Sequence, residues 1–483
     1  MDSKVRKPEI TVKIIRPNYR QSKYEGRHVV GFISRAMDQY DDPKLSSNAL
    51  IAYNFSEGLN PLDSTFSLTL TLREDEERRN WYDKIKKLDL VFIYEFNKLK
   101  FIGVIESRRY TARISEDDGM VSRSILLNGS GISKLLAYFK LIFNQFLFAG
   151  NKTAKEANDA LVAKLTMEME PGFKVLPILK MIYDDFFKLC LELGEVNKAG
   201  IGIKAVLDNF IRLQEKLPKS LVPCEVTAKY PLALSLYNMG ENNIWEILTG
   251  LMTPPMNELF LRLDQAAEKY DVVFRQTPFE PEHWKLLPIT SLPPIIITDH
   301  NLGDSISEVY TYYLATLSGA GIGSNKAMLL DAIAKYGQIA ETDSNRWPKY
   351  GFRPLITDFK YFKYTDDKTC NDTTTIMNNM GKMLKRWFRN NDDFLSGSLS
   401  IMTIDERMFK NVKDPWFGER IRFLGGQFYV EKIEHNWNYG ESMKTDLSLT
   451  RGYVYDGYGK QLKKLDDFGR KLNAIFKAGV KLD

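Results

Sequence analysis

The side chains that most often hold metals or move protons are scarce in this chain. There are four histidines, His28, His283, His300 and His435, and three cysteines, Cys190, Cys224 and Cys370. No histidine has a His or Cys neighbour at ligand spacing, so no metal site and no cofactor is expected. His283 in Pro281-Glu-His-Trp284 and His300 in Thr298-Asp-His-Asn301 sit among loop-forming residues and read as solvated or satisfied side chains. An odd number of widely spaced cysteines builds no disulfide framework, and a reducing compartment is the simpler reading. No Gly-x-Ser-x-Gly elbow is present, which removes support for a hydrolase of that class. The 62 acidic residues could pair in space as glycosidase carboxylates do, but nothing in the sequence selects a pair.

One motif imitates a nucleotide site. Gly319-Ala-Gly-Ile-Gly-Ser324 follows the strand-like residues 310–317 and enters a helical stretch at Asn325, and Glu341 lies about where a ribose-binding acid would. The third glycine comes one residue early, no βαβ succession surrounds it, and no Gly-Lys-Ser/Thr follows. We read it as a flexible turn between domains.

Those few groups sit in a chain of 483 residues, long enough for about two to four domains. Hydrophobic content is 44% and charged content 27%, ordinary for a globular core. The 24 Tyr and 28 Phe favour β structure or large interfaces. A net charge of +5, from 67 basic and 62 acidic residues, gives no support for nucleic-acid binding. The first residues lack the apolar core of a signal peptide. Residues 135–149 are the greasiest run but fall short of the roughly 20 residues that span a bilayer, and Lys140, Asn144 and Gln145 interrupt them. The expectation is a soluble protein, cytoplasmic when made.

Phe66-Ser-Leu-Thr-Leu-Thr-Leu72 alternates apolar and hydroxyl residues, as a strand with one buried face requires. Leu90-Val-Phe-Ile-Tyr-Glu-Phe96 and Phe101-Ile-Gly-Val-Ile105 predict a hairpin, and residues 122–127 a further strand. The charged stretch 73–87 predicts a solvated connection. From Gly129 the period becomes helical, with a capping box at Thr153-Ala-Lys-Glu156, until Pro218 and Pro223. Strands resume at 258–263, 271–276 and 295–298, and again at 398–403, 421–437 and 445–451, while 325–339 and 374–390 read as helices. Residues 461–478 predict an amphipathic helix, apolar at Leu462, Leu465, Leu472, Ile475 and Phe476.

These elements predict an α+β, mainly β fold with two β-barrel domains, a helical insertion and a C-terminal amphipathic helix. The boundaries are 1–130 for the first barrel and 131–222 for the helical insertion. The second barrel is read as 223–323 and 396–455 around a mixed insertion at 324–395, and residues 456–483 form the terminal helix. The all-round apolar run 135–149 has two readings, a buried core helix or a helix packed on another subunit.

The C-terminal third carries a resemblance. Ser396-Gly-Ser-Leu-Ser400, Gly418-Glu-Arg-Ile-Arg422, Phe428-Tyr-Val-Glu-Lys-Ile-Glu-His435 and Thr445-Asp-Leu-Ser-Leu-Thr-Arg-Gly452 resemble, in that order, the closing pattern of phage tail hub proteins. Residues 259–278 with Trp284 resemble the middle segment of that family, Phe274-Arg-Gln-Thr-Pro-Phe279 standing for its Arg-x-x-Pro-Phe element. Val91-Phe-Ile-Tyr94 and Phe101-Ile-Gly-Val-Ile105 are similar to the hairpin of its first barrel. The family commonly has Gly-Asp ahead of that hairpin, where this chain has Leu88-Asp89.

The resemblance implies a non-enzymatic baseplate or tail-tip hub, related to the hub part of type VI secretion spikes. Two related barrels per subunit would give a homotrimer six barrels in a ring, matching a six-fold tail tube to a three-fold central spike. Implied partners are further copies of itself, the tail tube protein, the central spike protein, baseplate wedge proteins and, as a further candidate, the tape measure protein. No specific nucleic acid is expected. The implied location is the virion tail or baseplate, after assembly in the bacterial host cytoplasm. Interface residues are expected at Phe139, Phe143, Phe146 and Phe148 and at Leu472, Ile475 and Phe476. Two alternatives stand beside this reading. One is a tail-associated peptidoglycan hydrolase; the other is a receptor- or carbohydrate-binding tail module, favoured if Trp347, Trp416 and Trp437 are exposed together.

Overall fold

The structure is a computed structural model that describes residues 8–16, 27–34, 47–72, 84–114, 121–132, 134, 257–265, 269–278, 281–317, 340–359, 373–389, 391–405, 409, 412–423, 425–455 and 461–462. It is mainly β, dominated by one 14-stranded sheet. Seven strands come from the N-terminal part: β1 (Ile10–Arg16), β2 (Arg27–Ser34), β3 (Ser47–Gly58), β4 (Thr65–Leu72), β5 (Leu90–Glu95), β6 (Lys98–Ile114) and β7 (Val121–Gly131). Their pairings run β3-β2-β1-β5-β6-β7-β4 and return to β3, so the hydrogen-bonded path closes on itself. Only the β2–β3 pairing in this ring is parallel.

Alternation explains what fills the ring. Ile10, Val12 and Ile14 of β1, and Phe66, Leu68 and Leu70 of β4, are buried, while Thr11, Lys13, Ser67 and Thr69 are more exposed. They meet Val91, Ile93, Phe101, Ile105, Ile125 and Leu127 in one apolar core. Removing apolar side chains of this size from water stabilises by about 1.5–3 kcal/mol each. The expected hairpin is present as β5–β6. Its turn is Phe96-Asn97, both at positive φ, the backbone that matches strand twist in a two-residue loop.

The second strand set comes from the C-terminal part: β15 (Leu395–Met402), β16 (Arg420–Phe423), β17 (Gly426–Asn438) and β18 (Lys444–Tyr455). Two earlier strands join it, β10 (Ile289–Ser291) on β16 and β11 (Ile297–Gly303) on β15. The four C-terminal segments that carry the hub resemblance thus lie in or at the ends of adjoining strands of one sheet. The strand expected at 295–298 begins two residues late, because Pro294–Ile296 forms a 3-10 turn. Pro293 and Pro294 lack N–H groups and have fixed φ, which suits the entry to a tight turn.

Two smaller units complete the described chain. β8 (Asn257–Asp264) and β9 (Lys269–Gln276) pair only with each other. β12 (Tyr312–Leu317), β13 (Glu341–Thr342) and β14 (Pro354–Phe359) form a three-stranded sheet covered by a helix at Thr373–Phe388. That helix follows the short helices α1 (Pro281–Leu286) and α2 (Trp347–Tyr350), and is labelled α3. Tyr313 and Leu384 are the buried centre of this unit. The helical insertion lies outside the described residues, as does the glycine motif at 319–324. Of the expected C-terminal helix, only Gln461 and Leu462 are described. They form a short strand, β19, on Tyr455 and Val454, because the backbone groups at the end of β18 offer them a ladder.

Candidate functional site

The two strand sets are joined by backbone. β3 has β4 on one edge; on the other it leaves β2 after Leu50 and runs against β17, from Ala52↔Asn438 to Gly58↔Lys432. Period-two geometry then puts Tyr53, Phe55 and Glu57 of β3 on one face, and all three are buried. His435 of β17 lies directly opposite Phe55, the two rings stacked 4.6 Å apart at 8°.

A buried polar cluster sits at one end of this seam. Glu95, the last residue of β5, is fully buried, and both its carboxylate oxygens lie 3.1 Å from His435 Nδ1. Tyr53 Oη donates to Glu95 Oε1 at 2.5 Å. Thr445 Oγ1 lies 3.3 Å from the same histidine nitrogen and 3.0 Å from Thr403 Oγ1. Lys100, itself buried, pairs with Asp414. Burial alone would raise the Glu95 pKa, but His435, Lys100 and the Tyr53 hydroxyl together hold it below the usual carboxylate value. Burial, reinforced by Glu95, lifts Tyr53 well above an ordinary tyrosine.

Glutamate, histidine and threonine in contact suggest a nucleophilic relay, which the geometry does not support. A relay uses both ring nitrogens, one toward the acid and one toward the nucleophile. Here Glu95 and Thr445 both approach Nδ1, and His435 is 1% exposed beneath the Phe55 ring. The cluster ties strands 340 residues apart in sequence.

At the other end of the seam Glu57 is 2% exposed and its Oε1 accepts a hydrogen bond from Tyr270 Oη of β9. Its Oε2 has no hydrogen-bond partner among the described residues. Burial pushes its pKa to about 8, against a lowering contribution from Tyr270. The Ile102 N–H of β6 points at the Tyr270 oxygen from 3.5 Å. The β8–β9 pair crosses the seam from there. Its far end is held by Tyr429 Oη of β17, which donates to both Glu258 oxygens at 2.9 and 2.8 Å. Between these ends Arg262 pairs with Glu419, and Phe260 meets Phe417 edge-on at 5.5 Å.

The C-terminal Arg-Gly has a local cause. Arg451 has φ of 50°, and its guanidinium stacks 4.3 Å from the Trp387 ring of α3 while bonding the Trp387 carbonyl at 3.2 Å. A Cβ on Gly452 would come within 2.2 Å of the Phe428 ring, so only glycine fits there. Leu88, where the hub pattern has glycine, takes φ of 68°. The Asp89 beside it is tied down by Arg16 at 2.9 Å and by the Lys86 N–H at 2.7 Å.

The remaining sequence candidates separate. Glu341 lies 3.5 Å from Lys385 in an ion pair, which accounts for it without a ribose. His28 falls in β2, His283 in α1 and His300 in β11. Trp347 is 40% exposed, but Trp416 and Trp437 are buried, so the ring cluster that would favour a binding module is not formed. Phe139, Phe143, Phe146, Phe148, Leu472, Ile475 and Phe476 lie outside the described residues. Among the described residues no group of three His, Cys, Asp or Glu could hold a metal, and no helix is long and apolar enough to cross a membrane. The sequence reading missed Glu57, Glu95 and Tyr270. Its only available signal was an acid ending the apolar run 90–95, and the partners of that acid are remote in sequence.

No family model matches the chain, and no curated protein matches it. Its structural neighbours are tail proteins and a secretion component. A tail protein from Neisseria meningitidis is 10% identical over 92% of this chain and 97% of its own, with a TM-score of 0.44. A 43 kDa tail protein of prophage MuSo2 from Shewanella oneidensis is 11% identical over 92% and 97%, with a TM-score of 0.43. An E. coli type VI secretion component, described as structurally similar to T4 bacteriophage tail proteins, is 9% identical over 86% and 76%, at 0.33.

Proposed function

We propose that this chain is a structural hub of a phage or phage-like tail tip, with the closed N-terminal ring as one barrel and the C-terminal set as the frame of a second. Three copies would place six such units around an axis, meeting the tail tube on one side and the central spike on the other. The observation that carries the reading is the β3–β17 ladder. It welds the two units into one continuous sheet, which suits a subunit that must transmit force without hinging. The ordered motifs from 396 to 452 support it, because they fold as adjoining strands of that sheet. The seam is also occupied by a buried network that ties strands together and offers no accessible nucleophile, as a load-bearing role requires and a hydrolase role does not.

The hub reading includes the apolar residues of 135–149 and of the C-terminal segment as contacts with other copies or with the spike. Copy number in an isolated tail tests it, with three copies per particle expected. Two or six copies around the axis would overturn the symmetry match. Degradation of peptidoglycan by the purified chain would instead support the hydrolase.

A further inference from the structure

The β8–β9 pair stands outside the large sheet. Among the described residues it makes no ladder with either strand set, and side-chain hydrogen bonds fasten it at both ends across the seam. At the β17 end the fastening is a tyrosine on a carboxylate with both oxygens engaged. At the ring end it is a tyrosine on a buried carboxyl group with one oxygen left over. The second arrangement suits a neutral acid, since a lone phenol cannot solvate a buried negative charge.

We propose that β8–β9 is a proton-controlled latch: a neutral Glu57 holds the Tyr270 end closed on β3 and β6, and loss of that proton releases it. The ionisable groups on the surrounding elements do not replace the proton. β9 contributes Tyr270 itself, and β6 contributes Lys100, which is committed to Asp414 and lies beside Glu95. β17 contributes Glu431, Lys432 and Glu434, of which Lys432 and Glu434 lie 3.7 Å apart. β8 and the 414–419 segment contribute Arg262 and Glu419, paired with each other, and the turn after β3 contributes Asp63. Burial raises the Glu57 pKa to about 8 while the pair is closed, so the bias toward opening builds as pH rises from the ordinary carboxylate value and levels off above about 8. Opening would uncover the Ile102 N–H and the buried leucines on the Tyr270 face of the pair, Leu261 and Leu263, while the Tyr429–Glu258 end stays fastened.

Hydrogen–deuterium exchange on the full chain between pH 6 and pH 10, corrected for intrinsic rates, reads the latch directly. Amides of residues 257–276 and of Ile102 should gain up to about tenfold in opening per pH unit below about pH 8 and level off above it, as release of one proton on opening requires. Glu57→Gln keeps an acceptor for Tyr270 without the charge, and should hold those amides closed throughout. Tyr270→Phe should leave them open at every pH while circular dichroism stays native. The proposal is overturned if the wild type shows no transition, if Glu57→Gln retains it, or if Glu431→Gln abolishes it in place of Glu57→Gln. Should Glu57→Gln fail to fold, a pH-dependent Tyr270→Phe overturns the proposal and a pH-independent one supports it.

Discussion

Two buried glutamates lie on the same seam and are treated in opposite ways. Glu95 has a histidine, a tyrosine and a nearby lysine, and burial does not prevent its ionisation. Glu57 has one phenol, and burial decides its state. Depth is the same for both, so neighbours rather than depth set the charge. The seam is therefore held by an ionic clamp at the Glu95 end and a neutral clamp at the Glu57 end.

The largest effect is expected from breaking the ionic clamp. Glu95→Ala strips Tyr53 and His435 of the buried carboxylate they share, while Lys100 keeps Asp414, and should cost about 3–5 kcal/mol, read by urea denaturation. If the loss is below about 1 kcal/mol, the Glu95 end is no clamp. Next comes the pH slope. Glu57 has a folded pKa above its unfolded one, so its contribution is complete below about pH 4.5 and is lost as pH rises toward 8. Over that window it removes about 1.4 kcal/mol per pH unit, and Glu57→Gln should remove this component of the slope. Glu95 has the opposite sign: its contribution is present above the ordinary carboxylate value and is lost as pH falls below it through the depressed folded pKa. Glu95→Gln should accordingly flatten the acid limb of the stability profile and leave the alkaline limb unchanged. Tyr270→Phe should cost about 2 kcal/mol near neutrality, because it leaves the buried Glu57 without its donor. The smallest effect belongs to a site away from both clamps. Leu88→Gly relieves a left-handed leucine and should gain about 0.5–1 kcal/mol once glycine's extra unfolded freedom is counted. A loss there would mean that Leu88 packs usefully despite being 41% exposed.

Much of the sheet was legible because its strands obey a period of two. Residues 66–72 fold as their alternation predicts, and strands are present where expected at 90–96, 101–105, 258–263 and 271–276, with small shifts at their ends. β1 also alternates, Ile10-Thr-Val-Lys-Ile14, but its charged surroundings hid it. β3 was hidden for a different reason. Glu57 occupies an inward position, so the strand that joins the two sets breaks its own pattern at the point where it does so. The clamps could not be read at all, because pairs such as Glu95–His435 and Tyr270–Glu57 join residues 340 and 213 apart. The Arg-Gly ending was legible as a motif, while its cause, a ring occupying the space of a Cβ, emerges only in three dimensions.

Ring closure also bears on what the chain does before it meets its partners. A closed path leaves fewer unpaired edges for a stray strand to template on than an open sheet of the same seven strands would. One free end of the sheet is β11, and that edge is blunted. Its register slips between Ile297 and Asp299, Thr298 and Asp299 are exposed, and the Asp299 carboxylate takes the His300 N–H at 2.8 Å. The chain is thus guarded against strand-to-strand fibre formation at this end of its largest sheet.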